Sequence, residues 1–293
     1  MIMGLNQKPL IIILGISMLL FKCAGRTNFK SSFATQKINN WVCNYSDSTA
    51  VEEITKFDLA VLDADAHPNL SQLKKSNTIL IGYVSLAEVG NYRWFWPEIA
   101  NKDWVLDKNP NWGGHMIDVR DKEWHELLVN KIIPKILSDG FDGIFLDTID
   151  TAEYLEKYHP EKKRAGSLKG MTQLIKKIRK KFPEIYIIAN RGFAILDNIG
   201  RDIDGVVAES IFTSFDFQNN RMRLLDAAEY EPKLTKLLTL KKKYNLKIFT
   251  LDYVTPAQSD KVRHIIAFSR KRDFVPYIST PKLNKIYDYT LEM

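Results

Sequence analysis

The 293-residue sequence contains only two cysteines, Cys23 and Cys43. One disulfide at most can form, which excludes a small scaffold built on disulfides. The five histidines (His67, His115, His125, His159, His264) are scattered, with no HxH or HExxH spacing, so no metal centre is expected. Neither GxGxxG nor GxxxxGK[ST] occurs, and Gly113-Gly114 reads as a turn. Ser85 and Ser210 lack the frame of a nucleophile elbow. Glycine (14) and proline (11) are too few for a collagenous or low-complexity chain. The net charge of +7 is spread thinly, with no block like a nucleic-acid arm. Lys241-Lys242-Lys243 and the basic residues of 176–181 read as solvated helix faces.

Long hydrophobic runs are missing too. The longest, residues 10–21 (LIIILGISMLLF), has 12 residues, whereas a bilayer-spanning helix needs about 20. The run follows Lys8 and reads as the core of an export signal covering residues 1–25. Cys23 follows at once and resembles the lipidation site of a bacterial lipoprotein, although Lys22 stands where that pattern has a small residue. Cleavage after Gly25 and a retained anchor are the alternatives. Residues 26–39 read as a polar tether. An exported domain (40–293) without an internal disulfide must be held by its core. Any link to a membrane would run through the N-terminal lipid alone.

From residue 40 onward, short apolar runs alternate with amphipathic stretches. The runs are 41–45, 57–63, 79–86, 141–147, 185–190, 203–209, 247–252 and 274–279. Near-continuous hydrophobicity marks strands buried on both faces. The helical stretches are 48–56, 69–76, 121–138, 167–182, 193–200, 221–243 and 257–272. Such alternation predicts a parallel sheet, and eight strands predict an α/β fold consisting of a single (β/α)8 TIM barrel preceded by the signal segment. A doubly wound open sheet is the alternative. Pro276 makes the eighth strand the weakest, because it lacks a ladder donor.

Three runs share the frame Asp, four residues, carboxylate: Asp58 to Asp63, Asp142 to Asp147, and Asp204 to Glu209. The second carboxylate stands at the strand's C-terminal end, where barrel active sites lie. The strand ends together offer Asp63, Asp65, Glu88, Asp147, Asp150, Asn190, Arg191, Glu209 and Asp252. A mouth rich in carboxylates and poor in His and Cys suits glycoside hydrolysis, in which one carboxyl protonates the leaving oxygen and the other attacks or activates water. A lone acid after a strand is more often a helix cap; recurrence on several strands favours function. Asp147 and Glu209 are the best pair, since each ends an apolar strand. The stretch 88–118 is long for a βα connection and carries Trp94, Trp96, Trp104 and Trp112. Some of these are expected to pin the loop and at least one to face the cleft, where an aromatic ring suits the apolar face of a sugar.

The motifs also carry a resemblance. Tyr83-Val84-Ser85-Leu86-Ala87-Glu88 with Asn91-Tyr92-Arg93 is similar to Y-[IV]-S-[IVL]-G-E-x-E-x-Y-R. Gly140 to Asp147 with Asp150 is similar to G-F-D-G-[VI]-F-L-D-x-[IV]-D, and Trp112-Gly113 with Asp118 and Arg120 to W-x-G…D-x-R. Gly205 to Phe212 is similar to G-[IV]-x-x-E-x-[LI]-F. These segments resemble the endo-α-1,4-polygalactosaminidase-like glycoside hydrolases over roughly residues 40–280. The resemblance implies a barrel enzyme, exported or lipid-anchored, that cleaves an α-1,4-linked galactosamine polysaccharide without metal or organic cofactor. Its catalytic pair falls on Asp147 and Glu209. Asp63, Tyr83, Glu88, Arg93, Trp112, Asp118, Asp150, Asn190 and Asp252 are then expected to bind or tune the substrate. Ala87 and Gly90 depart from the pattern, so the substrate is expected to differ in detail. The rival readings are a non-catalytic glycan-binding surface protein and a hydrolase for another amino-sugar polymer.

Overall fold

The computed structural model describes residue 33 and residues 36–158, 164–216, 221–254 and 259–289. The expected signal, its cleavage sites and Cys23 lie outside the described residues. All eight expected strands form: β1 Trp41–Asn44, β2 Leu59–Leu62, β3 Ile79–Ser85, β4 Gly143–Asp147, β5 Tyr186–Asn190, β6 Gly205–Glu209, β7 Lys247–Tyr253 and β8 Val275–Ser279. They pair in parallel, each with its neighbour in sequence, from β1 to β8. Helices join them on the outside, giving a nearly closed TIM barrel. No helix among the described residues is long and apolar enough to cross a membrane.

The seam between β1 and β8 is closed by side chains and, beyond the strand ends, by Tyr45 N–H donating to Leu283 O at 2.7 Å. Trp41 packs its indole against Phe249 and Tyr277, and its Nε1 donates to Val275 O at 3.0 Å. No ladder joins the two strands among the described residues. Pro276 explains why that position tolerates it. Successive residues of a strand aim their backbone groups at opposite neighbours. Ser279 O faces β7, where it accepts from Val254 N–H. Pro276 is three residues away, so it faces the seam, where no donor is required.

The repeated aspartate at the strand entrances has a structural role. Asp58 accepts from Asn39 N–H at 2.7 Å, just ahead of β1. Asp142 accepts from Leu80 N–H of β3 at 2.9 Å, and Asp204 from Ile187 N–H of β5 at 2.9 Å. Each even strand thus stitches the foot of the odd strand before it. Arg179 neutralises the buried Asp204 through a 2.5 Å bond. A Cβ at Gly143 would stand 2.2 Å from Tyr186 O, so β4 closes on β5 only with glycine there.

Several expectations are corrected. The helix expected over 221–243 starts at Ala227, because Asp226 caps it in a capping box with Glu229. Arg221–Leu224 instead pairs antiparallel with Thr213–Asp216. The stretches 48–56, 69–76 and 193–200 contain only four-residue helices, Val51–Ile54, Leu70–Leu73 and Leu196–Ile199. The helical stretch 121–138 is interrupted by a π turn, Leu128–Ile132, just ahead of Pro134. A helix that was not expected, Ile149–Tyr158, follows β4. The tether is not free where it is described. Phe33 is buried on Tyr186 at 4.6 Å, Ile38 is buried, and Gln36 O accepts from Lys247 Nζ.

The long β3–β4 connection builds a small antiparallel sheet from Glu88–Val89, His115–Ile117 and Val105–Lys108. Trp124 anchors it by donating from Nε1 to Leu86 O at 2.8 Å and packing on Trp104. Trp96 stacks on His115, and Trp94 lies under the Lys131 ammonium. Trp112 alone of the four lines the barrel mouth.

Candidate active site

A cleft of about 1230 Å³ opens at the C-terminal ends of the strands. Its floor is one continuous hydrogen-bonded chain across five adjacent strands. Tyr83 of β3 donates its hydroxyl to Asp147 Oδ2 at 2.8 Å. Asn190 of β5 donates one amide nitrogen to both acids, reaching Asp147 Oδ1 of β4 at 2.8 Å and Glu209 Oε2 of β6 at 2.6 Å. Tyr253 of β7 donates to Glu209 Oε1 at 2.6 Å. The two acids are therefore bridged by one nitrogen, and their facing oxygens are at most about 5.4 Å apart, the sum of the two bonds.

The backbone changes conformation directly after each of the three central side chains. Thr148, Arg191 and Ser210 all adopt left-handed φ, at 59°, 53° and 54°. A β-branched residue such as Thr148 rarely does so. The turn redirects each N–H or side chain onto a neighbour. Arg191 N–H bonds to Val207 O, and Ser210 N–H to Leu251 O. Thr148 Oγ1 accepts from Ala87 N–H and bonds to Ser85 Oγ, which hangs the β3 loop on β4.

Electrostatics marks Glu209. Burial, then the charge of Asp147, raises the pKa of Glu209; the bonds from Asn190 and Tyr253 oppose this only in part. Glu209 is thus the acid suited to hold a proton. Burial and the adjacent carboxylates also push Tyr83 and Tyr253 well up, so both stay donors. Around them, burial raises Glu88, whose Oε1 is held by Asn109 and Thr151 at 2.8 and 2.7 Å. Asp150 is likewise raised, chiefly by burial, although Arg191 lies 3.2 Å away. Among the described residues no group of three His, Cys, Asp or Glu is arranged to hold a metal ion.

Of the residues expected to catalyse or to bind and tune the substrate, Asp147, Glu209, Tyr83, Glu88, Arg93, Trp112, Asp150 and Asn190 line the cleft. Three do not. Asp63 is turned to Arg93, which it binds through two bonds of 2.8 Å while Asp65 takes a third at 2.9 Å. Burial works upward on Asp63, but Arg93 outweighs it and holds the carboxyl below its ordinary range. Its role is to fix the arginine, whose guanidinium lies over Tyr83. Asp118 sits behind the wall between Arg120 and Arg164, at 2.6 and 2.9 Å. Asp252 is fully buried, because neighbours on a strand face opposite ways and Tyr253 takes the mouth. The Asp252 carboxyl instead accepts from Phe212 N–H, Thr213 N–H and Thr213 Oγ1, pinning the loop after Glu209. The strand runs one residue beyond the apolar run 247–252, and that residue, Tyr253, is the one that faces the acids.

Asp252 carries a stability prediction. Burial pushes its carboxyl up from the ordinary 3.8 to about 7. The fold therefore favours the protonated form. The contribution is complete below pH 3.8 and is lost as pH rises through 7. Relative to Asp252→Asn, the wild type is expected to lose up to about 4 kcal/mol between pH 4 and pH 8. Urea unfolding at each pH checks this, and a pH-independent difference would refute it.

The comparisons agree with the geometry. The barrel superposes on the glycoside hydrolase domain of PelA from Pseudomonas aeruginosa with a TM-score of 0.74 at 22% identity, covering 85% of this chain and 97% of that one. It superposes on Aspergillus fumigatus Ega3, solved in complex with galactosamine, with a TM-score of 0.62 at 14% identity, covering 86% and 95%. An uncharacterised protein of Thermotoga maritima is 21% identical over 271 residues, or 84% of this chain and 81% of its own length. Residues 24–292 match the model of glycoside hydrolase family GH114, and the chain belongs to that family of glycoside hydrolases.

Proposed function

We propose that the protein is an exported, endo-acting hydrolase of α-1,4-linked galactosamine polysaccharide that works with retention of configuration. One observation carries the mechanism: Asn190 bridges Asp147 and Glu209 through a single nitrogen. Carboxyls about 5–5.5 Å apart suit a double displacement, whereas an inverting pair stands about 6.5–9.5 Å apart to admit a water. Glu209, holding a proton, gives it to the glycosidic oxygen as the bond to the anomeric carbon breaks. Asp147, oriented by Tyr83 and Asn190, attacks that carbon from the other side and forms a glycosyl ester. Glu209, now ionised, takes a proton from water, which attacks the anomeric carbon and frees Asp147.

The cleft is larger than one sugar needs, which favours cleavage within a chain. Its wall carries Glu88, Asp147, Asp150 and Glu209 against Arg191 and Lys282, while Arg93 is already held by Asp63 and Asp65. A net acidic wall suits free amines on the sugar, and the galactosamine bound to the similar Ega3 points the same way. A binder without catalysis would have no need of two bridged acids, one of them desolvated.

The test is incubation of the purified protein with defined α-1,4-galactosamine oligosaccharides and with glucosamine counterparts. Reducing ends are counted, and the anomer released first is read by proton NMR. Release of the α-anomer from galactosamine chains is expected. The β-anomer would refute retention, and cleavage confined to the glucosamine series would reassign the substrate.

A further inference from the structure

Among the described residues no large apolar or aromatic side chain is more exposed than Tyr92, at 76%. The ring is nevertheless seated. A Cβ at Gly90 would stand 2.3 Å from its Cε1 and 2.8 Å from Cδ1 and Cζ, so the ring leans on the bare backbone of that glycine. The Arg93 guanidinium lies 5.1 Å from the centre of the Tyr92 ring and 5.5 Å from that of Tyr83, whose hydroxyl holds Asp147. Asp63 and Asp65 fix the arginine in turn. The Tyr92 and Tyr83 rings are therefore at most about 10.6 Å apart, the sum of the two separations. Gly90, Asn91 and Tyr92 all line the cleft. They follow Val89, which pairs with His115, so they leave the small sheet at the end where Trp112 and the two glycines after it enter.

We infer that Tyr92 is a stacking platform for a sugar that is not itself cleaved, and that it selects the galacto over the gluco configuration. The inference rests on the proposed substrate and assigns part of its recognition to one residue. Place and chemistry identify the occupant. The ring belongs to the cleft that holds the acids and stands within a short oligosaccharide of Asp147. One tyrosine is too little surface for a protein partner, which needs roughly 800 Å² on each side. An aromatic face suits the apolar face of a pyranose, and Asn91 beside it offers an amide to the sugar's hydroxyls. In a galactopyranose O4 is axial, so the hydrogens of C3, C4 and C5 gather on one face as an apolar patch. In a glucopyranose O4 is equatorial and the C4 hydrogen turns to the other face, which breaks the patch. A ring already seated against Gly90 and Arg93 loses little freedom when a sugar stacks on it, so more of the contact appears as affinity. Selection is the difference between the two stackings on that one ring.

The test separates binding from turnover by using Glu209→Gln as the parent, in which cleavage is expected to be too slow to interfere. Calorimetry gives the affinity for an α-1,4-galactosamine hexasaccharide, and competition at high concentration gives that for its glucosamine counterpart. Adding Tyr92→Ala is expected to weaken galactosamine binding about three- to tenfold more than glucosamine binding. Tyr92→Phe, which keeps the ring, is expected to bind both as the parent does. Gly90→Ala moves the ring without removing it. Gly90 is not in the left-handed region, so alanine strains no backbone there, but its methyl group must push the exposed ring aside. That variant is expected to reproduce most of the loss with an unchanged melting temperature. Equal losses for the two sugars, or none, would overturn the selection while leaving the hydrolase reading standing. Parent-like binding in Gly90→Ala would overturn it as well, because the seat of the ring would then be immaterial. A parent that binds neither oligosaccharide would remove this inference and the proposed substrate together.

Discussion

Glu209→Gln and Asp147→Asn are each expected to lower kcat on galactosamine oligosaccharides by about 10³-fold or more, with thermal midpoints close to that of wild type. Glutamine at 209 keeps the shape and still accepts from Tyr253 or Asn190, but it has no proton to give. Asparagine at 147 keeps one acceptor for Tyr83 but is a poor nucleophile. Neither change opens a cavity, since the side chains are isosteric. In the wild type, the alkaline limb of kcat follows loss of the Glu209 proton. Burial and the charge of Asp147 raise that pKa, so the limb is expected above the ordinary carboxylate range. Full activity in either variant would remove that residue from the mechanism. Initial rates from reducing-end assays, with melting curves beside them, decide it.

Asn190→Ala is expected to have the next largest effect, about 10²-fold on kcat. Both acids lose a shared donor, and the nitrogen that fixes their spacing is gone. The direction of the pH shift is set by that bond. Asn190 pulls the Glu209 pKa down, so its removal lets burial and Asp147 push the pKa higher. The alkaline limb is then expected to move to higher pH even as the plateau falls. A purely structural role would lower the plateau and leave the limb in place. A limb that moves to lower pH would contradict the bridging arrangement.

Much of the barrel is legible from local pattern, because strands buried on both faces are short, apolar and bounded by polar turns. The eight runs need no knowledge of their partners. The two acids proposed as the catalytic pair are legible for the same reason: a carboxylate that ends such a strand has only the mouth to face. Side-chain direction one residue later is harder. Asp252 and Tyr253 differ by one position, and only pairing with β6 and β8 shows which faces the cleft. Asp63 stands among the right motifs but meets Arg93 from a distant segment, which no local signal foretells; Asp118 meets Arg120 two residues on, a local signal, and the distant Arg164 as well. The helix after β4 has a weak sequence signal because Tyr154 and Tyr158 spoil the usual contrast between an apolar inner face and a charged outer one. Phe33 and Ile38 show the reverse case, two apolar residues in a polar stretch that are core.

The seam between β1 and β8 has a mechanical consequence. Among the described residues, seven of the eight junctions around the barrel are ladders that share load along their length, whereas the eighth is held by the Trp41 indole with its ring contacts and bond to Val275 O, and by Tyr45 N–H on Leu283 O beyond the strand ends. A hoop with one weak joint fails there first. The cheapest excursion of this fold is therefore a parting of its first and last strands. The chain of five side chains at the mouth lies on β3 to β7, none of which borders that joint, so a parting there is expected to leave its hydrogen bonds in place.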